Sequence, residues 1–142
     1  MREGFMAECA GFMSRVGVFL SGVEAAMKAT GGVRVEPGLG GYSLEDEDFS
    51  FGFDVKRDGE ALFWVGFYAD PIDAFGAYDC PVWIQFYDEE GAWQTAGDLF
   101  RDEEINSDML MVGIRWKLPA GAAADEVFEE GQKLAGRLAG LL

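Results

Sequence analysis

Asp54 and Lys56 stand two residues apart inside FSFGFDVKRDGEALFWVGFY, positions 49–68. In an extended chain, residues i and i+2 project from one face, so this carboxylate and this ammonium lie side by side. They are either a reactive pair or the wet side of a strand. Little else in the chain offers chemistry. It has no histidine, which removes the commonest general base and the commonest metal ligand. Ser-His-Asp and Cys-His catalysis are excluded on that ground. Cys9 and Cys80 are too few and too far apart for a zinc set or a disulfide framework. No GxxxxGK[ST] phosphate loop occurs, and none of the 20 glycines builds a GxGxxG opening a helix.

The Asp54-Val55-Lys56 spacing is similar to the D-x-K half of the PD-(D/E)xK nuclease pattern. That resemblance implies acids on adjoining strands holding a divalent cation, with Lys56 orienting water. Asp46 or Asp48 would supply the second acid and Glu24 a helix acid. The favoured reading is different: Phe53 and Val55 must face inward, so Asp54 and Lys56 face water. No catalytic residue, metal ligand or cofactor is assigned.

The 142 residues suit one domain, 1–142, with 49% apolar and 14% aromatic residues to build a core. The formal charge is −15, and it is unevenly spread. Residues 36–130 hold 23 of the 26 acids and five of the 11 bases, a net of −18. Such a surface repels phosphate backbones and anionic membranes and attracts basic proteins and cations. Glu3, Glu8 and Arg15 interrupt the front of the chain, so no signal peptide is read there. No run approaches the length of a membrane span. The two cysteines read as reduced thiols of a cytoplasmic protein.

Hydrophobic periodicity sets out the elements that must position these charges. Phe5, Cys9, Phe12, Val16, Phe19, Val23 and Met27 recur every three or four positions, which predicts a helix over 3–29 ended by Gly31-Gly32. A link begins at Glu36-Pro37, and Tyr42-Ser43-Leu44 reads as a short strand. Phe49, Phe51, Phe53 and Val55 alternate with polar or small residues, and Asp58-Gly59 is a two-residue turn signal. The tightest hairpin then pairs Val55 with Leu62, Phe53 with Trp64, Phe51 with Gly66 and Phe49 with Tyr68. Residues 60–68 are apolar on both faces and belong in the middle of the sheet. Positions 70–80 read as a loop, 82–87 as a strand, 92–95 as its short partner and 98–108 as a polar stretch with a helical turn. A last strand spans 109–118, with Leu110, Val112, Ile114, Trp116 and Leu118 inward. A second helix covers 122–142, with Glu129 and Lys133 as an i,i+4 pair. The expected fold is α+β: a mostly antiparallel sheet of four to six strands with an N-terminal and a C-terminal amphipathic helix on one face.

Three acidic clusters fall at strand ends or connections: Glu45, Asp46, Glu47 and Asp48; Asp88, Glu89 and Glu90; and Asp102, Glu103 and Glu104. None has the order of an EF-hand loop. Together they are the candidate surface for a basic protein or peptide. Trp64, Trp83, Trp93 and Trp116, with Tyr68, Tyr87, Phe67 and Phe86, are many rings for one core, and tryptophan and tyrosine favour interfaces. Strands 60–68 and 82–87 need two covers; helices supply one, and a second copy in a homodimer is the favoured other. By composition and element order the chain resembles secretion chaperones, toxin-immunity proteins and phage-encoded inhibitors. The expectation is a non-catalytic acidic binding protein of that kind, with a small-molecule binder using an aromatic pocket, or the metal-dependent nuclease, as the alternatives.

Overall fold

Phe12, Val16, Phe19, Val23 and Met27 fall on one side of a continuous helix, α1 (Arg2–Lys28), and all five are buried. The structure, a computed structural model, describes residues 2–37, 41–42, 49–77, 79–118 and 121–142. Past α1 the chain turns at Gly31-Gly32, where Gly32 takes a φ of 79°, a conformation that side chains resist. Glu24 and Lys28 pair at 2.8 Å as their spacing requires.

The fold is α+β, with helices at both ends of the chain. Strands β1 (Val33–Pro37), β2 (Gly41–Tyr42), β3 (Phe49–Arg57), β4 (Glu60–Ala69), β5 (Asp79–Phe86), β6 (Glu104–Asn106) and β7 (Met111–Lys117) form one antiparallel sheet. Six of them run in the order β1-β3-β4-β5-β7-β6, and β2 also pairs with β3. β4 is central, as its two apolar faces demand. β1 comes out of what reads as a link in the sequence. It is a short edge strand closed by Pro37, where a missing N–H does no harm. Ser43 and Leu44, expected to extend β2, lie outside the described residues.

Two further helices replace an expected loop and an expected strand, and the expected last helix is present. Residues 70–80 contain α2 (Pro71–Ala77), with proline at the first helical position, where it needs no N–H. Residues 92–95 do not return as a strand: they open α3 (Ala92–Leu99), because Trp93, Ala96 and Phe100 recur at helical spacing and pack inward. The polar stretch 98–108 divides between the end of α3 and β6. Helix α4 (Ala124–Leu138) buries Val127, Gly131, Leu134, Ala135 and Leu138 and runs on into a short 3-10 turn. Lys133 pairs with Glu130 at 2.6 Å, three residues back, instead of with Glu129.

The hairpin register is where sequence and structure part. Asp58 and Gly59 both take positive φ, 53° and 81°, as a two-residue turn of this kind requires. Lys56 faces Ala61, as the turn dictates. One step further the pairing shifts: Val55 faces Phe63 and Phe53 faces Val65, leaving Leu62 without a partner. This β-bulge exchanges the faces of everything beyond it on β4. Phe51 therefore meets Phe67, at 5.6 Å between ring centres, and not Gly66.

One contiguous core gathers Phe53, Val55, Phe63, Val65 and Ile84 from the sheet with the buried faces of α1 and α4. Ala74 and Phe75 of α2 and Ala96 of α3 enter the same cluster. No helix among the described residues is long and apolar enough to cross a membrane. The helix layer closes where α1 and α4 touch backbone to backbone. A Cβ placed on Gly131 would lie 2.0 Å from the carbonyl oxygen of Phe19, and one on Gly22 would lie 2.1 Å from that of Phe128. Gly17, also in α1, has nothing within 4 Å of such an atom. Alanine is the better helix former at all three positions, so contact alone sets the sign. Gly131→Ala should cost about 1–3 kcal/mol by overpacking, whereas Gly17→Ala should be neutral or gain up to about 1 kcal/mol. Urea unfolding of the two variants, read by circular dichroism, checks this contrast.

Candidate binding cleft on the open face of the sheet

Every helix sends its buried residues to the same side of the sheet. The alternate residues of β3, β4, β5 and β7 therefore face outward, and among the described residues no helix crosses them. On this open face one cross-strand row runs Gly52, Gly66, Trp83, Gly113, Glu104. The row beside it runs Glu36, Asp54, Trp64, Gln85, Met111, Asn106. Three glycines in one row leave a trench, and two indoles lie down in it. A Cβ on Gly66 would sit 2.6 Å from Cζ2 of Trp64, and one on Gly113 would sit 2.9 Å from the ring of Trp83. Trp64 becomes almost wholly buried without reaching the core, at 6% exposure. Its indole N–H is also buried and finds no acceptor among the protein groups.

A cleft of about 470 Å3 opens over these rings, a volume in the range of ligand sites. Its floor is Trp64 and Trp83, and Tyr68, Tyr87 and Met109 stand around it. The described residues expose five large apolar side chains, and those three rim this one cleft. The turn before β7 sets Met109 in place: the Asn106 carboxamide oxygen accepts its backbone N–H at 3.1 Å, and Leu110 takes a φ of 55°. Asp54 is the single charged side chain in the lining.

The Tyr87 hydroxyl donates to Oδ1 of Asp54. Partial burial of the phenol, together with that bond and the negative charge beside it, pushes the Tyr87 pKa up to about 12. Lys56 does not share this site: its Nζ lies 2.7 Å from Oε2 of Glu36 on β1. The lysine holds the Glu36 carboxyl below its usual range, first by the hydrogen bond and then by charge. The cross-strand neighbour of Asp54 is thus a carboxylate already matched by a cation. Glu24 sits on α1, on the far side of the sheet, paired with Lys28. Asp46 and Asp48 lie outside the described residues. Among the described residues no three potential metal-ligating side chains come together.

A second cleft of about 340 Å3 shares Tyr68 and Trp83 with the first. Asp70, Asp73 of α2 and Glu104 of β6 line it, with Arg115 as the only basic group among its lining residues. The expected acidic surface is thereby partly placed. Glu104 stands in this second cleft. Asp102 is exposed in the turn before it. Glu103 turns the other way, to Arg137 of α4 at 3.2 Å, and Arg137 in turn covers the Phe100 ring. Asp88, Glu89 and Glu90 are exposed directly after Tyr87. There the Asp88 carboxylate accepts the Glu90 N–H at 3.1 Å and the Glu89 carbonyl accepts the Gln94 amide at 2.8 Å. Glu45, Asp46, Glu47 and Asp48 lie outside the described residues. Asp70 and Asp73 are additions that sequence reading leaves as loop charges. The three aligned glycines are the signal that finds the cleft, once the bulge is known.

Comparison with known protein families, curated proteins and solved structures finds no match to this chain.

Because the folded-state pKa of Tyr87 is raised above its ordinary 10.0, the folded state favours the neutral phenol. Its contribution to stability is complete below pH 10 and is lost as the pH rises through about 12. Phenolate absorbance should therefore show a late-titrating component from Tyr87. Asp54→Asn should move it down only part of the way, since burial is the largest cause.

Proposed function

We propose that this protein is a non-catalytic binding protein, of inhibitor, immunity or chaperone type, that receives a basic protein on the open face of its sheet. The observation that carries the reading is the cleft of Trp64, Trp83, Tyr68 and Tyr87, with one carboxylate and no cation in its lining. Exposed aromatics and methionine supply the apolar contact that anchors interfaces. The two adjoining clefts hold Asp54, Asp70, Asp73 and Glu104 against Arg115, so the whole groove is negative. That imbalance, on a chain of charge −15, steers a cationic partner and opposes the same face of a second copy. A homodimer through this face would bring like charges together, which makes a basic partner the favoured cover. Cys9 and Cys80, read as reduced thiols, fit a reducing, cytoplasmic setting.

Charge alone makes any acidic protein bind a polycation, so the test compares faces. Asp54→Asn with Glu104→Gln removes two charges from the groove. Glu126→Gln with Glu129→Gln removes two exposed charges from α4. Binding of a short basic peptide, followed by tryptophan fluorescence at low and high salt, should weaken with salt in every case. It should fall about tenfold for the groove pair, the equivalent of about 1.4 kcal/mol, and hardly change for the helix pair. Equal losses for both pairs would remove the open face from the reading. A small aromatic ligand that saturates the fluorescence change without any basic peptide would replace the reading with that of a small-molecule binder.

A further inference from the structure

The cleft has a chemistry narrower than that of an acidic surface. We infer that it seats an arginine side chain of the basic partner, its guanidinium on the Asp54 carboxylate and its plane against the aromatic wall. This deepens the reading of the open face as a docking surface and rests on it. Asp54 is the one ionised group lining the cleft, and Tyr87 takes only one of the roughly four acceptor positions of a carboxylate. The hydroxyl fixes the direction of the carboxylate and leaves it able to accept a planar two-pronged donor. Around it stand Trp83, Tyr68 and Tyr87, with Trp64 beneath.

Between the two basic side chains these surroundings favour arginine. An ammonium is compact and strongly hydrated, and an aromatic wall returns little of its water shell. A guanidinium is flat, weakly hydrated and stacks on rings while it pairs with a carboxylate. Met109 and Met111 offer soft, adjustable contact for its aliphatic stem. The polar groups fit a peptide as well as a side chain. The Gln85 and Asn106 carboxamides in the lining can both donate to and accept from a backbone. Further basic residues of the same partner would meet Asp70, Asp73 and Glu104 in the adjoining cleft.

The experiment uses two peptides of equal length and charge, alike except that one carries arginines where the other carries lysines. Each is titrated into the full chain, and its ability to shield the tryptophans from iodide quenching is measured. The arginine peptide should bind about 5- to 30-fold more tightly and should shield the tryptophans where its twin does not. Asp54→Asn, an isosteric change, should abolish the preference while leaving weak, salt-sensitive binding of both peptides. The quenching measurement on the unaltered chain decides the matter even if that variant folds poorly. Equal affinity and equal shielding by the two peptides would overturn the arginine assignment and leave the docking face standing, provided the groove charges still matter. If neither peptide responds to the groove charges, both readings fall. Sedimentation showing a dimer whose tryptophans are already shielded, and which binds neither peptide, would overturn them in favour of a second copy as the cover.

Discussion

Leu62 has no partner on the neighbouring strand, and that one extra residue decides which side of the sheet each ring of β4 occupies. Side chains alternate along a strand, so a single-residue shift is an all-or-none exchange of faces. With the bulge, Phe63, Val65 and Phe67 join the core, and Trp64, Gly66 and Tyr68 turn away from the helices. Without it, Trp64 would enter an interior already filled by phenylalanines, and Phe67 would lie on the open face. The energetic preference is plain: two phenyl rings and a valine without polar atoms join the core, and the phenol ring of Tyr68 is left exposed, where its hydroxyl can meet a partner.

The glycine row follows from that exchange. Gly52, Gly66 and Gly113 belong to three different strands, and only the shifted register aligns them across the face. Glycine inside a strand ordinarily weakens it. Here each one accepts an indole where a Cβ would collide, so the missing side chains are replaced by rings from Trp64 and Trp83. The open face becomes aromatic at its centre, with Asp54 the one charge among the residues lining the cleft. The chain uses the same device on the other side of the molecule, where Gly22 and Gly131 let two helices meet at their backbones. In both places glycine serves close approach rather than flexibility.

Much of the architecture was legible before any coordinates. The spacing of Phe12, Val16, Phe19 and Val23 fixed α1, the alternation through Val112 and Ile114 fixed β7, and the double apolarity of residues 60–68 put β4 at the centre. Short elements escaped, because three to eight residues carry too little period to outvote their turn formers. That is why β1, α2, α3 and β6 read as links, loops or the wrong element. The site escaped for a different reason. Asp58-Gly59 announces a turn, and a turn implies a register, but nothing in Ala61-Leu62-Phe63 announces a bulge. The outward position of Asp54 survived because β3 is regular. Its neighbours did not: the residue across from it is Trp64, not Phe63. Glu103 looked like one of three equivalent acids, and only tertiary packing separates it, bound to Arg137, from Glu104 in the groove.

Helices α1 and α4 make up most of the layer that covers the sheet, yet they come from opposite ends of the chain. During synthesis the greasy side of α1 emerges well before the helix that seals it. Until then the nascent chain holds a long, unshielded apolar ridge beside strands that have found their neighbours. Contacts between such distant segments also form slowly once the chain is free. A protein built this way is exposed to misassociation on the ribosome, and its heavy negative charge keeps unfinished copies of that ridge apart.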